Sequence, residues 1–265
     1  MHWWQTEGGA YWAVFVASFL GVAIWESIRP WRELSERVER RWVRHGSLLL
    51  LSYAASAILI PASPILLAAS LQGSRYGLLN RPWLGAAPRW IVAILLLDLA
   101  RYGAHRAMHA VPILWRVHHV HHSDPDFDVS TSVRAHPMEV LFLQLTALAT
   151  VAILVPPVGA VSVQQLLSVF ETFFSHANTS LPRWIERVIG ALVYTPDAHR
   201  MHHAVDVRLQ MSNYGDIFPW WDRLLGTYTA SGRDPGMPIG VEEFQRGARP
   251  GFWLLLKQPF AGNRQ

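Results

Sequence analysis

The chain has 265 residues, 51% of them hydrophobic and only 16% charged, and its net charge of +4 is carried almost wholly by arginine, with Lys257 the one lysine. An average soluble protein is about a quarter charged, so this profile belongs to a membrane protein, and the arginines flanking its apolar runs read as orienting charges rather than a nucleic-acid surface. No cysteine is present, which excludes a disulfide framework, a thiolate zinc site and an iron–sulfur cluster.

A helix needs ~20 apolar residues to cross the hydrocarbon core. Residues 8–25 are uncharged and just reach that length. They follow no basic segment of the kind that opens a cleaved signal peptide, so a retained span is expected. Residues 46–74 are uncharged for 29 residues, a second span that Pro61 and Pro64 kink or end. The run from Trp90 to Ala100 is too short alone; continued as a helix through RYGAHRAMH, its upper half sits in lipid and its lower half projects into water. Residues 140–170 are again uncharged, and Pro156, Pro157 and Gly159 split them into arms near 138–155 and 160–178, a helical hairpin. The tail from Ser231 is rich in glycine, proline and charge until GFWLLLK, and reads as a surface extension with one weakly amphipathic anchor. His2 and His45 read as ordinary hydrogen-bonded histidines.

Charge sets the expected orientation. Arg29, Arg32, Arg37, Arg40, Arg41 and Arg44 lie between the first two spans, which marks that loop as cytoplasmic. Counting spans from there, every dense histidine cluster arrives on the cytoplasmic side. The expected fold is all-α: an integral membrane bundle of about three spans plus a helical hairpin, with a cytoplasmic histidine-rich cap. Its expected divisions are 1–89 (N-terminal spans and basic loop), 90–230 (histidine-bearing domain) and 231–265 (polar tail), in the inner membrane of a bacterium.

Six histidines fall between His105 and His122. His105 and His109, four apart, share one helical face. His118, His121 and His122 share another, and His199, His202 and His203 repeat that HxxHH spacing. His119 lies off the face and is expected to be idle. Eight facing imidazoles packed without metal would bury many nitrogens in need of partners. They also exceed the four ligands of a structural zinc or the three of a catalytic one. Two metals fit the count, and two irons would suit neutral imidazoles and leave open positions for O2.

HRAMH, HHVHH and HRMHH, in this order after apolar spans, resemble the histidine boxes of the fatty acid hydroxylase/sterol desaturase superfamily of membrane di-iron oxygenases. RAHPME at 134–139, SHANT at 175–179 and NYGDIFPWWDRLLGTY at 213–228 match further signatures of that family, so the resemblance covers roughly 90–230. It implies that His105, His109, His118, His121, His122, His199, His202 and His203 are metal ligands, with His176 as an additional one. Members with a tenth histidine carry it one turn before His176, where this chain has Glu171 and Thr172. Glu171 is therefore an expected oxygen ligand or neighbour of the site, and His136 either a ligand or a supporting residue. Asp98, a carboxylate inside a span, either accepts a hydrogen bond from an imidazole, with Tyr102 between it and His105, or pairs with Arg101 or an arginine of another span. Glu139 pairs with Arg134 or with a ligand histidine, the first being favoured. Trp220 and Trp221 are expected at headgroup level, and Asp124 and Asp126 as turn residues.

The expected reaction is O2-dependent hydroxylation of an unactivated C–H bond of a lipid; desaturation uses the same oxidant and removes a second hydrogen. The sequence holds no G-x-G-x-x-G loop and no cysteine, so electrons are expected from a separate ferredoxin or cytochrome with its reductase. Two other classes compete. A membrane zinc hydrolase lacks its HExxH here, and a metal transporter or storage protein would place ligands near mid-membrane rather than beyond the span ends.

Overall fold

The computed structural model describes residues 7–74, 76–81, 84–230, 232–245 and 249–261; His2 and Ser231 lie outside them. Among the described residues the chain is helical, and its one β-type pairing is an isolated bridge between Ala204 and Ile239. Helix α1 spans Glu7–Ile28 and α2 Val38–Leu59. At ~1.5 Å per residue each is about as long as the hydrocarbon core is thick. Among the described residues, three stretches are long and apolar enough to cross a membrane: Gly8–Ile28, Val38–Leu71 and Pro137–Leu154. Their outward faces carry apolar side chains, Leu50 at 73% and Ile58 at 76% exposure, which water would penalise and lipid tails solvate. The chain is an integral membrane protein.

The second stretch is broken as its prolines dictate. Helix α2 stops at Leu59, and α3 (Pro64–Leu71) restarts behind Ser63, whose hydroxyl accepts from the Ile65 N–H at 3.2 Å. A break inside lipid leaves carbonyls without partners. Here the Gln144 amide donates to the Ile60 and Ala62 carbonyls at 3.0 and 2.9 Å, while Ser56 bonds its oxygen.

Helix α4 (Ala86–Ala110) is not among the three stretches, since its apolar run is short and Arg89, Asp98, Arg101 and Arg106 punctuate it. It ends because Pro112 restricts Val111 to an extended conformation, φ −99° and ψ 116°. The chain turns there, and α5 (Pro112–His122) starts a new direction. Helices α6 (Pro137–Leu154) and α7 (Val158–Ser175) are the two arms of the expected hairpin, joined through Val155 in the left-handed region and two prolines. Gly159 lets α7 meet α4, because a Cβ there would stand 2.5 Å from the Trp90 ring.

Short helices then run beneath the bundle: α8 (Arg183–Ile189), α9 (Pro196–His202), α10 (Val207–Gln210), α11 (Trp220–Leu225) and α12 (Phe252–Lys257). The tail is anchored at GFWLLLK as expected, and its earlier part is more than a surface extension. Leu255 on α12 is fully buried against Leu48 of α2 and Val120 of α5. Gly240 donates to the His203 carbonyl at 2.8 Å with φ +101°, and a Cβ there would meet the Asp124 carbonyl oxygen at 2.8 Å. Only glycine fits that passage.

The basic loop is also partly internal. Arg41 is fully buried and pairs with Asp124 at 2.7 Å and Asp128 at 2.9 Å; Arg44 pairs with Glu36 at 2.6 Å. Burial alone would raise the Asp124 carboxyl, but Arg41 and Arg134 beside it hold it below the usual carboxylate range. Ser35 and the Glu36 N–H bond Asp126, and the Trp31 N–H donates to the Asn178 carbonyl. These ties put the loop between α1 and α2 at the same end of the molecule as the histidine boxes.

Candidate metal centre

The nine histidines expected as ligands converge there. His105, His109, His118, His122 and His202 form one group, and His121, His176, His199 and His203 a second. In each group one ring nitrogen per residue lies within 4.8 Å of the others. His122 of the first stacks on His203 of the second, with ring centroids 4.4 Å apart. All are buried except His105, which is partly so. Each box does what its spacing allows. The i, i+4 pair points from the end of α4, and the HxxHH sets point from α5 and α9.

Five rings are oriented by a bond from Nδ1. His105 donates to the Tyr214 carbonyl at 2.9 Å, His202 to that of Ser212 at 2.7 Å, His176 to that of Thr172 at 2.7 Å, and His121 to that of Arg134 at 3.3 Å. His118 donates to the Glu139 carboxylate at 2.8 Å. A carbonyl or carboxylate oxygen only accepts, so each of these Nδ1 atoms holds the proton and each Nε2 presents a lone pair. Those lone pairs face one another. Nε2 of His105 stands 3.1 Å from that of His118 and 3.0 Å from that of His202, and Nε2 of His176 stands 3.2 Å from that of His121. Nε2 of His199, a ring whose Nδ1 makes no bond, stands 3.1 Å from that of His176.

Lone pair against lone pair is repulsive unless a cation lies between. Protons do not supply it, because burial pushes the imidazole of His118 down to about 3 and those of His121, His122, His199, His202 and His203 well below their ordinary value. Two nitrogens about 2.1 Å from one ion at right angles stand about 3.0 Å apart, which is the spacing found. Both ring nitrogens of His109, His122 and His203 are buried without any hydrogen-bond partner, as is Nδ1 of His199. The residues fit a metal centre of neutral imidazoles.

The expected supporting residues divide. Glu139 bonds His118 rather than Arg134, correcting the favoured pairing; Arg134 instead donates to the Val120 carbonyl and Ser123. Asp98 touches neither an imidazole nor Arg101. It accepts from the Ile217 N–H at 2.9 Å and the Trp221 indole at 2.7 Å, so it pins the loop before α11, while Arg101 pairs with Asp216 at 3.0 Å. That bond turns Trp221 inward from the expected headgroup level. Tyr102 bonds Thr227 and not a ligand ring. His136 caps α6 by accepting from the Met138 N–H and reaches the Leu256 carbonyl, a structural role away from both groups. Glu171 is buried but belongs to neither group, and its Oε1 has no partner. His119 faces away and meets Gln258, and His45 bonds Ser130 and Arg134.

Sequence reasoning missed the residues that hold the loop carbonyls in place. Asp222 gathers the N–H groups of Tyr214 and Gly215 and the hydroxyls of Tyr194 and Thr227. Asn213 bonds the Ala198 carbonyl and the Thr229 N–H. The sign available was the stretch NYGDIFPWWDRLLGTY at 213–228, which contains both residues.

Above the histidines a cavity of about 910 Å³ opens between α1, α2, α6 and α7. His105, His118, His121, His176 and His199 form its floor, and its walls reach Tyr11, Tyr53 and the break at Pro61.

Residues 90–227 match the family model described as fatty acid hydroxylase. The chain is similar to alkylglycerol monooxygenase of Homo sapiens, 31% identical over 157 residues, 58% of this chain and 34% of that protein. It is similar to an ornithine lipid hydroxylase of Rhizobium tropici, 27% identical over 171 residues, 64% of this chain and 50% of that one. A very-long-chain aldehyde decarbonylase of Oryza sativa subsp. indica is 32% identical over 147 residues, 53% of this chain and 54% of that protein. The chain thus spans about a third to a half of the length of these relatives. No solved structure matches it. With three histidine boxes closing one centre and more than half the sequence matched, the chain belongs to the fatty acid hydroxylase family.

Proposed function

We propose that this protein is a membrane-bound di-iron oxygenase that hydroxylates an unactivated C–H bond of a lipid, using O2 and two electrons from a separate ferredoxin or cytochrome with its reductase. One oxygen atom enters the C–H bond and the other leaves as water. Ligands to one iron would be His105, His109, His118, His122 and His202, and to the other His121, His176, His199 and His203. Bound irons would supply O2 activation next to the substrate. The chain's own residues set the conditions for it. The Nδ1–H bonds fix five of the nine rings with Nε2 inward, and Glu139 raises the basicity of His118. Burial keeps the imidazoles neutral.

The observation that carries this reading is the cavity: it lies among the membrane helices and is floored by histidines of both groups. A lipid would enter from the bilayer, while the polar donor approaches from the opposite, aqueous side. That side is the cytoplasm in our reading, supported by the exposed arginines of the loop between α1 and α2, among them Arg37. The relatives named monooxygenase and hydroxylase support hydroxylation over desaturation. A single-zinc hydrolase has no use for nine converging imidazoles.

The test is comparative lipid mass spectrometry of cells expressing the native chain or His121→Ala. The native chain is expected to yield, only under O2, a lipid heavier by one oxygen, and the variant none. A product of the same kind from His121→Ala, or no O2-dependent product from the native chain, overturns the proposal.

A further inference from the structure

Serine and threonine inside membrane helices usually return their hydroxyl to the carbonyl four residues back, because lipid offers nothing else. This chain obeys that rule at three positions of α6 and α7. Thr146 bonds the Phe142 carbonyl at 2.9 Å, Thr150 that of Thr146 at 2.7 Å, and Ser162 that of Val158 at 3.3 Å. Ser168 and Thr172 of α7 do not. Together with Gln164 and Gln165 they line the cavity, and among the described residues none of the four has a side-chain hydrogen-bond partner. Gln164 is 5% exposed and its Nε2 is buried without a partner; Ser168 is 8% exposed.

Positions 164, 168 and 172 are successive turns of one helical face. At ~1.5 Å per residue Thr172, Ser168 and Gln164 stand about 6, 12 and 18 Å along the helix from His176, so they rise from the histidine floor toward mid-membrane. An amide or hydroxyl left unbonded in such surroundings costs about 1–3 kcal/mol, and a cavity built only for hydrocarbon would carry leucine and valine at these positions. Each of the four groups both donates and accepts, as does an alcohol.

We propose that the lipid bound here carries hydroxyl groups along the part of its chain remote from the oxidised carbon, and that Thr172, Ser168, Gln164 and Gln165 form the ladder that reads them. This rests on the cavity being the substrate chamber of the proposed oxygenase. It names the substrate class as an already oxygenated lipid rather than a plain acyl or alkyl chain.

The test compares two probes on the metal-loaded protein in detergent: a saturated long-chain alcohol, and the diol of the same length with its second hydroxyl near the far end. Displacement of a fluorescent alkyl probe should show the diol binding about tenfold more tightly, the worth of roughly one satisfied buried hydrogen bond. The preference should vanish in Gln164→Leu/Ser168→Ala/Thr172→Val, and shrink in the isosteric Thr172→Val. Equal binding of the two probes by the native chain overturns the proposal whatever the variants do, and so does a preference that survives in a triple variant of unchanged metal content. Iron content and O2 consumption, measured on the same samples, separate the two readings. Iron and oxidation without a diol preference sink only the ladder, whereas a preference without iron or oxidation sinks the reaction and leaves the ladder standing.

Discussion

The smallest unit of the account is a tautomer. A histidine whose Nδ1 donates to an oxygen has only a lone pair at Nε2, and His105, His118, His121, His176 and His202 are all held this way. Glu139 is the one carboxylate among these acceptors, so its removal tests the arrangement without deleting a ring. Glu139→Ala is expected to lower metal affinity about 10- to 100-fold, the usual effect of losing an outer hydrogen-bond partner. His119→Ala, on the far side of α5, should leave metal content unchanged; metal titration of both variants decides. The spacing of the boxes made eight of the converging histidines and the off-face His119 legible in sequence, because periodicity along a helix is local; His176 lies in no box and was expected only from the family resemblance. The partners of Asp98 and Glu139 were not legible. Each depends on which distant segment docks, Trp221 lying 123 positions from Asp98 and His118 reaching Glu139 from another helix.

At the scale of elements, the sequence shows plainly that Pro61 and Pro64 break α2 from α3 and that Pro156 and Pro157 turn the hairpin, while the joint at Pro112 between α4 and α5 emerged with the structure. What patterning concealed is how the joints are held. Arg41 reads as an orienting charge of the loop, yet it is buried and anchors α2 to the aspartates that follow the second histidine box. Removing one partner of such a network strands the other charges away from water, at a cost of about 3–5 kcal/mol. Arg41→Met should therefore lower the thermal unfolding midpoint in detergent markedly, whereas Arg208→Met, whose pairing with Asp206 is exposed, should not. Similar midpoints for the two variants would contradict the structural role given to this network.

Across the whole molecule, charge and hydropathy pointed to one membrane-embedded helical unit with its histidines at one end, and the described residues have that form. In the tail the expected anchor GFWLLLK holds, with Leu255 packed beneath α2 and α5, whereas composition concealed the docking of Gly240 against His203 and Asp124. Orientation is testable because the chain lacks cysteine. Arg37→Cys, at the histidine end, should react with an impermeant thiol reagent only from the cytoplasmic side, and Arg81→Cys, near the opposite end, only from the other; the reverse pattern would invert the proposed topology. The central claim is that nine neutral imidazoles enclose two irons. Its most direct test is the metal content of the native chain purified without oxygen: about two irons per chain is the expected result, and one zinc with no iron would contradict it.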